Sequence, residues 1–193
     1  MGKLIKIKNN LEEAKVIEFL KESNAIENEF REIALEDAKV AWEFAIGNKL
    51  DKIDISFIKD IHKILCCRIN PKIAGKIREQ PVYVGSYLKG YIECMDYTLI
   101  EKELEELCHK WNNFYKLYCE KLKDKEGKVI TEKKEKFVRD WHIKFERCHP
   151  YEDGNGRTGR ILMNFQRLRL GLPLLIIHRG SQQAEYYKWF KDK

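Results

Sequence analysis

Apolar residues recur every three or four positions along most of the chain, which is the pattern of amphipathic helices. The segments that carry such a stripe lie at residues 11–22, 34–45, 57–65, 100–118, 137–147 and 161–168. Residues that cap helices stand before two of these stripes, Asp54 or Ser56 before one and Asp96 before another. Gly171 follows the last stripe, where a glycine commonly ends a helix. The pattern predicts a mostly α-helical protein.

The remaining segments break this period in different ways. Residues 74–91 contain several glycines and a proline around Val-Tyr-Val at 82–84, which favours extended backbone and predicts an irregular hairpin. Residues 1–10 have no clear period and predict a frayed start. The charged residues 121–136 predict a solvated connection, and the apolar run at 172–177 fits a buried strand or a helix equally well.

Length and composition fit one soluble domain. The chain has 193 residues, 44% of them hydrophobic, and a net charge of +6 from 37 Lys and Arg against 31 Asp and Glu. This mild excess suits anionic ligands but is weak evidence for nucleic acid, and no apolar run is long enough for a membrane span. None of the six cysteines forms a C-x-x-C pair and no signal peptide is visible, so we expect reduced thiols and a cytoplasmic protein.

Candidate chemistry is concentrated in residues 149–160, which read HPYEDGNGRTGR. His149 can take a proton at neutral pH, and an acid such as Asp153 can hold a hard divalent cation. The glycines and asparagine that follow tolerate left-handed backbone and let amides converge on an anion. If a helix starts near residue 155, Arg157 and Arg160 lie on one face of its first turn. This combination predicts a site that handles polyphosphate.

Two other interpretations of the same residues are weaker. Residues 154–159 spell G-x-G-x-x-G, but a dinucleotide-binding loop needs a preceding strand, whereas residues 137–145 have helical spacing. A polar loop that only caps a helix would explain the glycines. It would not explain a histidine, an acid and two arginines together, so the polyphosphate site is preferred.

The stretch resembles the motif of the Fic family, His-Pro-Phe-x-Asp/Glu-Gly-Asn-Gly-Arg-x-x-Arg. Every defined position matches except Tyr151, which stands where the family has Phe. The extra hydroxyl needs a partner if it is buried.

The resemblance implies a Fic-type helical fold with a small β-hairpin flap. Residues 1–193 would form one domain, with residues 11–31 as an N-terminal extension.

The resemblance also implies roles for the start of the motif. His149 would be the general base that removes the proton from a target hydroxyl. Asp153 would hold Mg²⁺ against the phosphates of ATP. Glu152 occupies a variable position and is expected to face solvent.

The second half of the motif would bind the nucleotide phosphates. The amides of Gly154, Asn155 and Gly156, together with the Asn155 side chain, would cradle them. Arg157 would contact the β-phosphate region and Arg160 the γ-phosphate.

Residues 23–28 have an ordinary interpretation and a functional one. By themselves they are a helix cap in which Glu27 pairs with Arg31 at i,i+4. Beside the Fic motif, they resemble the inhibitory motif Ser/Thr-x-x-x-Glu-Gly/Asn. In that case Ser23 and Glu27 belong to an inhibitory helix, and Glu27 reaches Arg160 and blocks the γ-phosphate.

Two further segments acquire roles through the resemblance. Residues 75–85 resemble the Fic flap, which aligns a target segment by main-chain pairing. The flap residues expected to bind the target are Val82, Tyr83 and Val84. Near the C-terminus, Tyr186 and Tyr187 are candidates for contact with the nucleotide base, and core packing explains them equally well.

The implied function is transfer of AMP from ATP to a Ser, Thr or Tyr hydroxyl of a target protein or of the chain itself. Three alternatives remain open: removal of AMP with Glu27 positioning a water, transfer from another nucleotide or phosphoryl donor, and a nucleotide-binding regulatory module without catalysis. The expected ligands are ATP and Mg²⁺. The expected partners are an unidentified target protein and a second copy in a homodimer, with no membrane and no specific nucleic acid.

Overall fold

The computed structural model describes residues 2–47, 52–86, 90–122 and 127–190. Its helices are α1 (Gly2–Ile26), α2 (Glu32–Gly47), α3 (Ile55–Cys66), α4 (Ile100–Leu117), α5 (Lys128–Cys148), α6 (Asn155–Arg169) and α7 (Ser181–Lys188). A 3₁₀ turn at Tyr97–Leu99 leads into α4, and a π-helical turn at Tyr118–Leu122 follows it. The strands β1 (Tyr83–Ser86) and β2 (Gly90–Glu93) form one hairpin. The predicted mostly α-helical fold with a small hairpin is confirmed.

Helix α6 lies at the centre of the molecule. It contacts α1, α2, α3 and α5, and most of its side chains are buried. Ile161, Leu162 and Phe165 are among those that enter the hydrophobic core. Burial of such side chains stabilises the fold by about 1.5–3 kcal/mol each. The N-terminus of α6, where the motif lies, is therefore held by the core on several sides.

The two predicted caps form at their expected positions. The Asp54 side chain accepts a hydrogen bond from the amide of Phe57 and starts α3. Asp96 accepts from the amide and the hydroxyl of Thr98 and starts the 3₁₀ turn ahead of α4. Within the part of the chain that the structure covers, no helix combines the length and apolarity needed to cross a membrane.

The hairpin is antiparallel. Tyr83 pairs with Glu93 and Val84 with Ile92, and the carbonyl of Val82 accepts from the amide of Cys94 at 2.9 Å just outside the strands. Side chains alternate between the two faces of such a ribbon. The residues at its tip, 87–89, lie outside the described part of the chain.

Three predictions about irregular segments are wrong. Residues 2–10 belong to α1, because a helix extends from a formed turn more easily than it starts. Helix α5 begins at Lys128, so much of the charged segment 121–136 is helical, although 123–126 lie outside the described residues. Residues 172–177 form neither a strand nor a helix. Their backbone is held by side chains of α6, since Asn164 bonds both the amide and the carbonyl of Leu175.

Candidate active site

His149 follows the last residue of α5 in a left-handed backbone conformation with φ of +48°. This conformation is uncommon outside glycine and marks local strain. The amide of His149 donates to the carbonyl of Phe145 at 3.0 Å, and its carbonyl accepts from Nε of Arg78 at 2.8 Å. Helix α5 and Arg78 therefore fix the direction in which the imidazole projects.

The hydrogen bonds of the imidazole define its chemistry. Nδ1 of His149 lies 3.3 Å from the carbonyl oxygen of Glu146. Because a carbonyl only accepts, Nδ1 carries the proton and Nε2 keeps its lone pair. Burial lowers the pKa of His149, and the bond to the Glu146 carbonyl opposes that shift. The ring is neutral at pH 7 and can act as a base through Nε2.

The Asn155 side chain closes the loop that follows. Its Oδ1 accepts from the amide of Tyr151 at 2.9 Å, and its Nδ2 donates to the carbonyl of the same residue at 2.8 Å. Both ends of the buried amide are thus engaged within the loop. This differs from the expected contact of the Asn155 side chain with phosphate, and it leaves the backbone amides as the anion-binding groups.

Gly154 turns the chain into α6 with φ of +78°. A Cβ at this position would lie 3.0 Å from Sγ of Cys66 and 3.1 Å from Nε2 of His62, so both backbone angle and space require glycine. The amide of Thr158 makes the first bond of the helix, to the Gly154 carbonyl. The amides before it have no acceptor within the helix and carry its partial positive charge. Amides of this kind can bind an anion.

Arg157 is a buried cation with unused donors. Its side chain is 4% exposed, and neither Nε nor Nη1 has a hydrogen-bond partner among the described residues. Nη2 lies 4.0 Å from Oδ2 of Asp153, which is 70% exposed. A buried guanidinium normally has its donors satisfied, so Nε and Nη1 of Arg157 remain available to an acceptor that the described residues do not supply.

Arg160 is also buried, but its donors are occupied. Nε donates to Oγ of Ser23 at 2.9 Å, and Nη2 donates to the Ser23 carbonyl at 2.8 Å and to Oε1 of Glu27 at 2.7 Å. Burial alone would lower the pKa of Arg160, but the Glu27 carboxylate raises it well above its ordinary value. The alternative pairing of Glu27 with Arg31 is not made, since Arg31 pairs with Glu29 instead.

The Glu27 carboxylate lies directly against the first turn of α6. A Cβ built on Gly156 would come 2.1 Å from Oε1 of Glu27 and 2.9 Å from Nη1 of Arg160. Glycine at 156 thus allows the carboxylate to approach the helix backbone. Glu27 thereby occupies the space between the α6 amides and the Arg160 guanidinium.

One part of the motif opens onto a cavity of about 800 Å³. Its lining includes His149, Gly156, Arg160 and Glu27, together with residues of the hairpin and of the C-terminal segment. A drug-sized ligand or a nucleotide fits a volume of this order. The hairpin residues that line the cavity are Val84, Gly85 and Glu93. Val82 and Tyr83 lie beside them on the same strand segment, with Tyr83 largely exposed.

The two C-terminal tyrosines have different environments. Tyr186 is buried, and its hydroxyl lies 2.8 Å from Nε2 of His142, whose Nδ1 donates to the carbonyl of Gly159. Because Nδ1 of His142 carries the proton, the Tyr186 hydroxyl is the donor to Nε2. Tyr187 is 45% exposed and accepts a bond from Gln183. Both tyrosines line the cavity, so both remain candidates for contact with a base.

The sequence interpretation missed the residues that hold the motif from behind. Arg78 is 2% exposed and donates to the carbonyls of Gln80, Met95 and His149, while its amide donates to the carbonyl of Pro150. It thus ties the base of the hairpin to the loop that carries the 149–160 motif. The only sequence signal was an arginine within residues 75–85, the segment that resembles the flap, and this signal is not specific.

His62 supports the loop from α3. The Gly75 amide donates to its Nδ1 at 2.9 Å, so Nε2 carries the proton and donates to the carbonyl of Asp153 at 3.0 Å. Its ring stacks on Tyr151 with centroids 3.6 Å apart. Burial lowers the pKa of His62 to about 4 and keeps it neutral. His62 therefore packs against the motif and also bonds its backbone.

A resident metal site with several protein ligands is absent from the described residues, where no group of three or more His, Cys, Asp or Glu could hold an ion. Asp153 offers an exposed carboxylate near the mouth of the loop, with Oδ1 accepting from the Gly154 amide at 2.6 Å. Mg²⁺ is typically bound by one or two carboxylates together with substrate phosphates. The donor set therefore fits an ion that arrives with a nucleotide.

The chain is similar to proteins of one family. Residues 52–166 match the model of the Fic/DOC family. The protein adenylyltransferase Fic of Drosophila melanogaster is 30% identical over 155 residues, which cover 79% of this chain and 27% of that protein. The protein of the same name from Nematostella vectensis is 27% identical over 160 residues, or 83% of this chain and 33% of that protein. The chain thus spans about a quarter to a third of the length of these curated relatives.

Solved structures share the fold. A Fic domain containing signaling protein from Bacteroides thetaiotaomicron superposes with a TM-score of 0.73 at 20% identity, covering 97% of this chain and 74% of that one. A Fic family protein from Desulfovibrio desulfuricans gives a TM-score of 0.69 at 19% identity, covering 93% of this chain and 57% of that one. At this level of identity the likeness shows the helical architecture.

Proposed function

The chain belongs to the Fic/DOC family, and from this premise we propose that it is a protein adenylyltransferase, which transfers AMP from ATP to a Ser, Thr or Tyr hydroxyl of a target protein or of itself. The observation that carries the proposal is the common cavity of His149, the α6 N-terminus and Arg160, with the unused donors of Arg157 behind the loop. The cavity therefore places a base, His149, next to groups that can bind phosphate. The relatives named as adenylyltransferases support the choice of AMP.

In the proposed reaction, Nε2 of His149 removes the proton from the target hydroxyl. The hydroxyl oxygen attacks the α-phosphorus of ATP, and the bond between that phosphorus and the bridging oxygen to the β-phosphate breaks. The products are a protein–AMP phosphodiester and pyrophosphate. General-base catalysis of this kind contributes about 10²–10⁴-fold to the rate.

The amides at the start of α6 and the side chains of Arg157 and Arg160 neutralise negative charge on the pyrophosphate. Each guanidinium is planar and can donate two parallel hydrogen bonds to phosphate oxygens. A Mg²⁺ held by Asp153 and the phosphates would supply further charge neutralisation when it is bound. The hairpin would align the acceptor segment by main-chain pairing along Val82, Tyr83 and Val84. Such pairing is insensitive to sequence and leaves the choice of target to other contacts.

We further propose that Glu27 inhibits this reaction. Its carboxylate lies between Gly156 and Arg160, where it takes a donor of the guanidinium fork and repels an incoming phosphate. Its side chain is 37% exposed, so it can leave without disrupting the core. ATP would then bind productively only after Glu27 moves away.

We also propose that the protein works in the cytoplasm. All six cysteines are unpaired, and burial raises the pKa of the Cys148 and Cys108 thiols to about 12. Unpaired thiols of this kind are typical of a reducing compartment.

The test is incorporation of α-labelled ATP, with Mg²⁺, into the chain and into a cell lysate. Strong labelling by Glu27→Gly, weak labelling by the unsubstituted protein and none by Glu27→Gly with His149→Ala is the expected result. If none of the proteins labels, γ-labelled ATP and other nucleotides test a different donor. ATP binding without any transfer would favour removal of AMP or a regulatory nucleotide-binding module.

A further inference from the structure

Glu146 is a carboxyl inside the proposed nucleotide cavity that the mechanism does not use. It lies on the last turn of α5, its side chain is 14% exposed, and it lines the cavity that also contains His149 and Arg160. Its Oε1 is buried and has no hydrogen-bond partner among the residues described. Buried carboxyl oxygens are normally bonded, so an unbonded one beside a ligand cavity needs an explanation.

The fold makes room for this side chain. A Cβ on Gly159 would come 2.2 Å from Oε1 of Glu146, so the carboxyl lies against the α6 backbone, one residue before Arg160. Nε2 of His142 is 3.8 Å from the same oxygen but is already bonded to the Tyr186 hydroxyl. The unbonded Oε1 therefore lies against the α6 backbone at the wall of the cavity, beside Arg160.

The groups that face Glu146 do not neutralise it. His142 is fully buried and uncharged, since burial lowers its pKa to about 3. His149 is neutral, and the Tyr186 hydroxyl donates its hydrogen bond to Nε2 of His142. Burial raises the pKa of Glu146 to about 8. The nearby charge of Arg160 favours the ionised carboxylate, and the nearby charge of Glu27 disfavours it. The side chain is a neutral acid at pH 7, which can donate a hydrogen bond.

We propose that Glu146 is a nucleotide-contacting residue whose protonated carboxyl donates a hydrogen bond to an oxygen of the polyphosphate once Glu27 has left Arg160. The inference rests on the proposed function, because it places the triphosphate beside Arg160. A neutral acid complements an anion, whereas an ionised one at the same position would repel it. Polyphosphate that replaces the Glu27 carboxylate maintains the negative field that keeps Glu146 protonated.

The experiment measures binding rather than transfer, in the open Glu27→Gly background. Dissociation constants for ATP, inorganic triphosphate and AMP are measured by calorimetry between about pH 6 and pH 9.5, a range extended downward because removal of Glu27 also removes a charge that raises the Glu146 pKa. Affinity for ATP and triphosphate should fall at the alkaline end, approaching about tenfold per pH unit once the carboxyl ionises. AMP, which lacks the β- and γ-phosphates, should show no such slope.

Two substitutions at Glu146 separate the hydrogen bond from the volume of the side chain. Glu146→Gln keeps a donor that cannot ionise, so its ATP affinity should stay near that of the background at pH 7 and lose the alkaline slope. Glu146→Leu keeps the volume without a donor and should bind ATP about tenfold more weakly at pH 7. Glu152→Gln, which alters an exposed acid in the loop between α5 and α6, should leave the profile unchanged. Thermal unfolding confirms that each variant is folded.

Three results would overturn the contact: an unchanged slope in Glu146→Gln, undiminished affinity in Glu146→Leu, or the same slope with AMP. Absence of any triphosphate or ATP binding in the background would also overturn it. Failure of the proposed function has a different signature. If the expected binding profile appears but no AMP is transferred, the polyphosphate contact holds and the transferase proposal does not.

Discussion

The motif loop is held on two sides, and the two sides use different kinds of bonds. On the side of α3 and the hairpin, Arg78 and His62 bond carbonyl oxygens and one amide of the main chain. On the side of α1, the Arg160 guanidinium bonds the hydroxyl and carbonyl of Ser23 and the carboxylate of Glu27. Bonds on the α3 and hairpin side fix the main chain of the loop, whereas bonds on the α1 side hold the charged side chain of Arg160.

The difference separates a permanent support from a replaceable contact. A phosphate cannot take the place of a main-chain carbonyl that belongs to the loop itself. It can take the place of the Glu27 carboxylate, because both are anions that accept from the same guanidinium fork. We therefore expect substitutions on the α3 side to reduce stability and activity together. Substitutions on the α1 side should mainly change nucleotide binding.

The largest effect is expected for Arg78→Met. The variant leaves the partly buried carbonyls of Gln80, Met95 and His149 without their donor, which should lower the free energy of unfolding by about 3 kcal/mol. The strained backbone of His149 loses its anchor, and misplacement of a catalytic group can reduce the rate about 10²-fold. Urea unfolding and AMP transfer by the folded fraction measure the two effects.

The matched control for Arg78 is Arg31→Met. Arg31 is an exposed arginine paired with Glu29, and exposed pairs contribute about 1 kcal/mol or less. If Arg78→Met loses no more stability than this control, the hairpin side is not the permanent support described above.

The replaceable side is tested by Arg160→Lys in the Glu27→Gly background. Lysine keeps the charge but loses the planar fork, so ATP affinity should fall about 10- to 100-fold. Arg167→Lys is the control on the same helix, since Arg167 bonds the Pro173 carbonyl and Glu135 away from the cavity. Equal losses of ATP affinity in the two variants would mean that Arg160 supports the fold and does not contact the nucleotide.

The comparison also explains which features could be predicted from the sequence. Helices with a long apolar stripe and a capping residue, such as α3 behind Asp54, follow from local chemistry. The pairing of Glu27 with Arg160 joins residues 133 positions apart, and only the resemblance to a family indicated it, because local spacing favoured Arg31. The role of Arg78 was not predictable, since its partners are main-chain carbonyls, which every residue type provides.

The next effect concerns pH. The pKa of His62 is about 4 in the folded protein, below its ordinary value of 6.5, so the unfolded chain takes up the proton first as pH falls. Stability from the neutral ring is complete above pH 6.5 and is lost progressively toward pH 4, by about 2 kcal/mol between pH 7 and pH 5. Urea unfolding at these two values should show a smaller difference for His62→Gln. His109→Gln, which replaces an exposed histidine, should keep the full difference.

The smallest effect distinguishes two buried tyrosines on opposite sides of the motif. Tyr151 stacks on His62, and its buried hydroxyl has no partner among the described residues, so Tyr151→Phe should raise the free energy of unfolding by about 1 kcal/mol. Tyr186→Phe should lower it by about 1 kcal/mol, because the Tyr186 hydroxyl donates to Nε2 of His142. Urea unfolding of both variants provides the measurement. A loss of stability in Tyr151→Phe would show that its hydroxyl is bonded, and the support behind the loop would then include a polar contact besides those of His62 and Arg78.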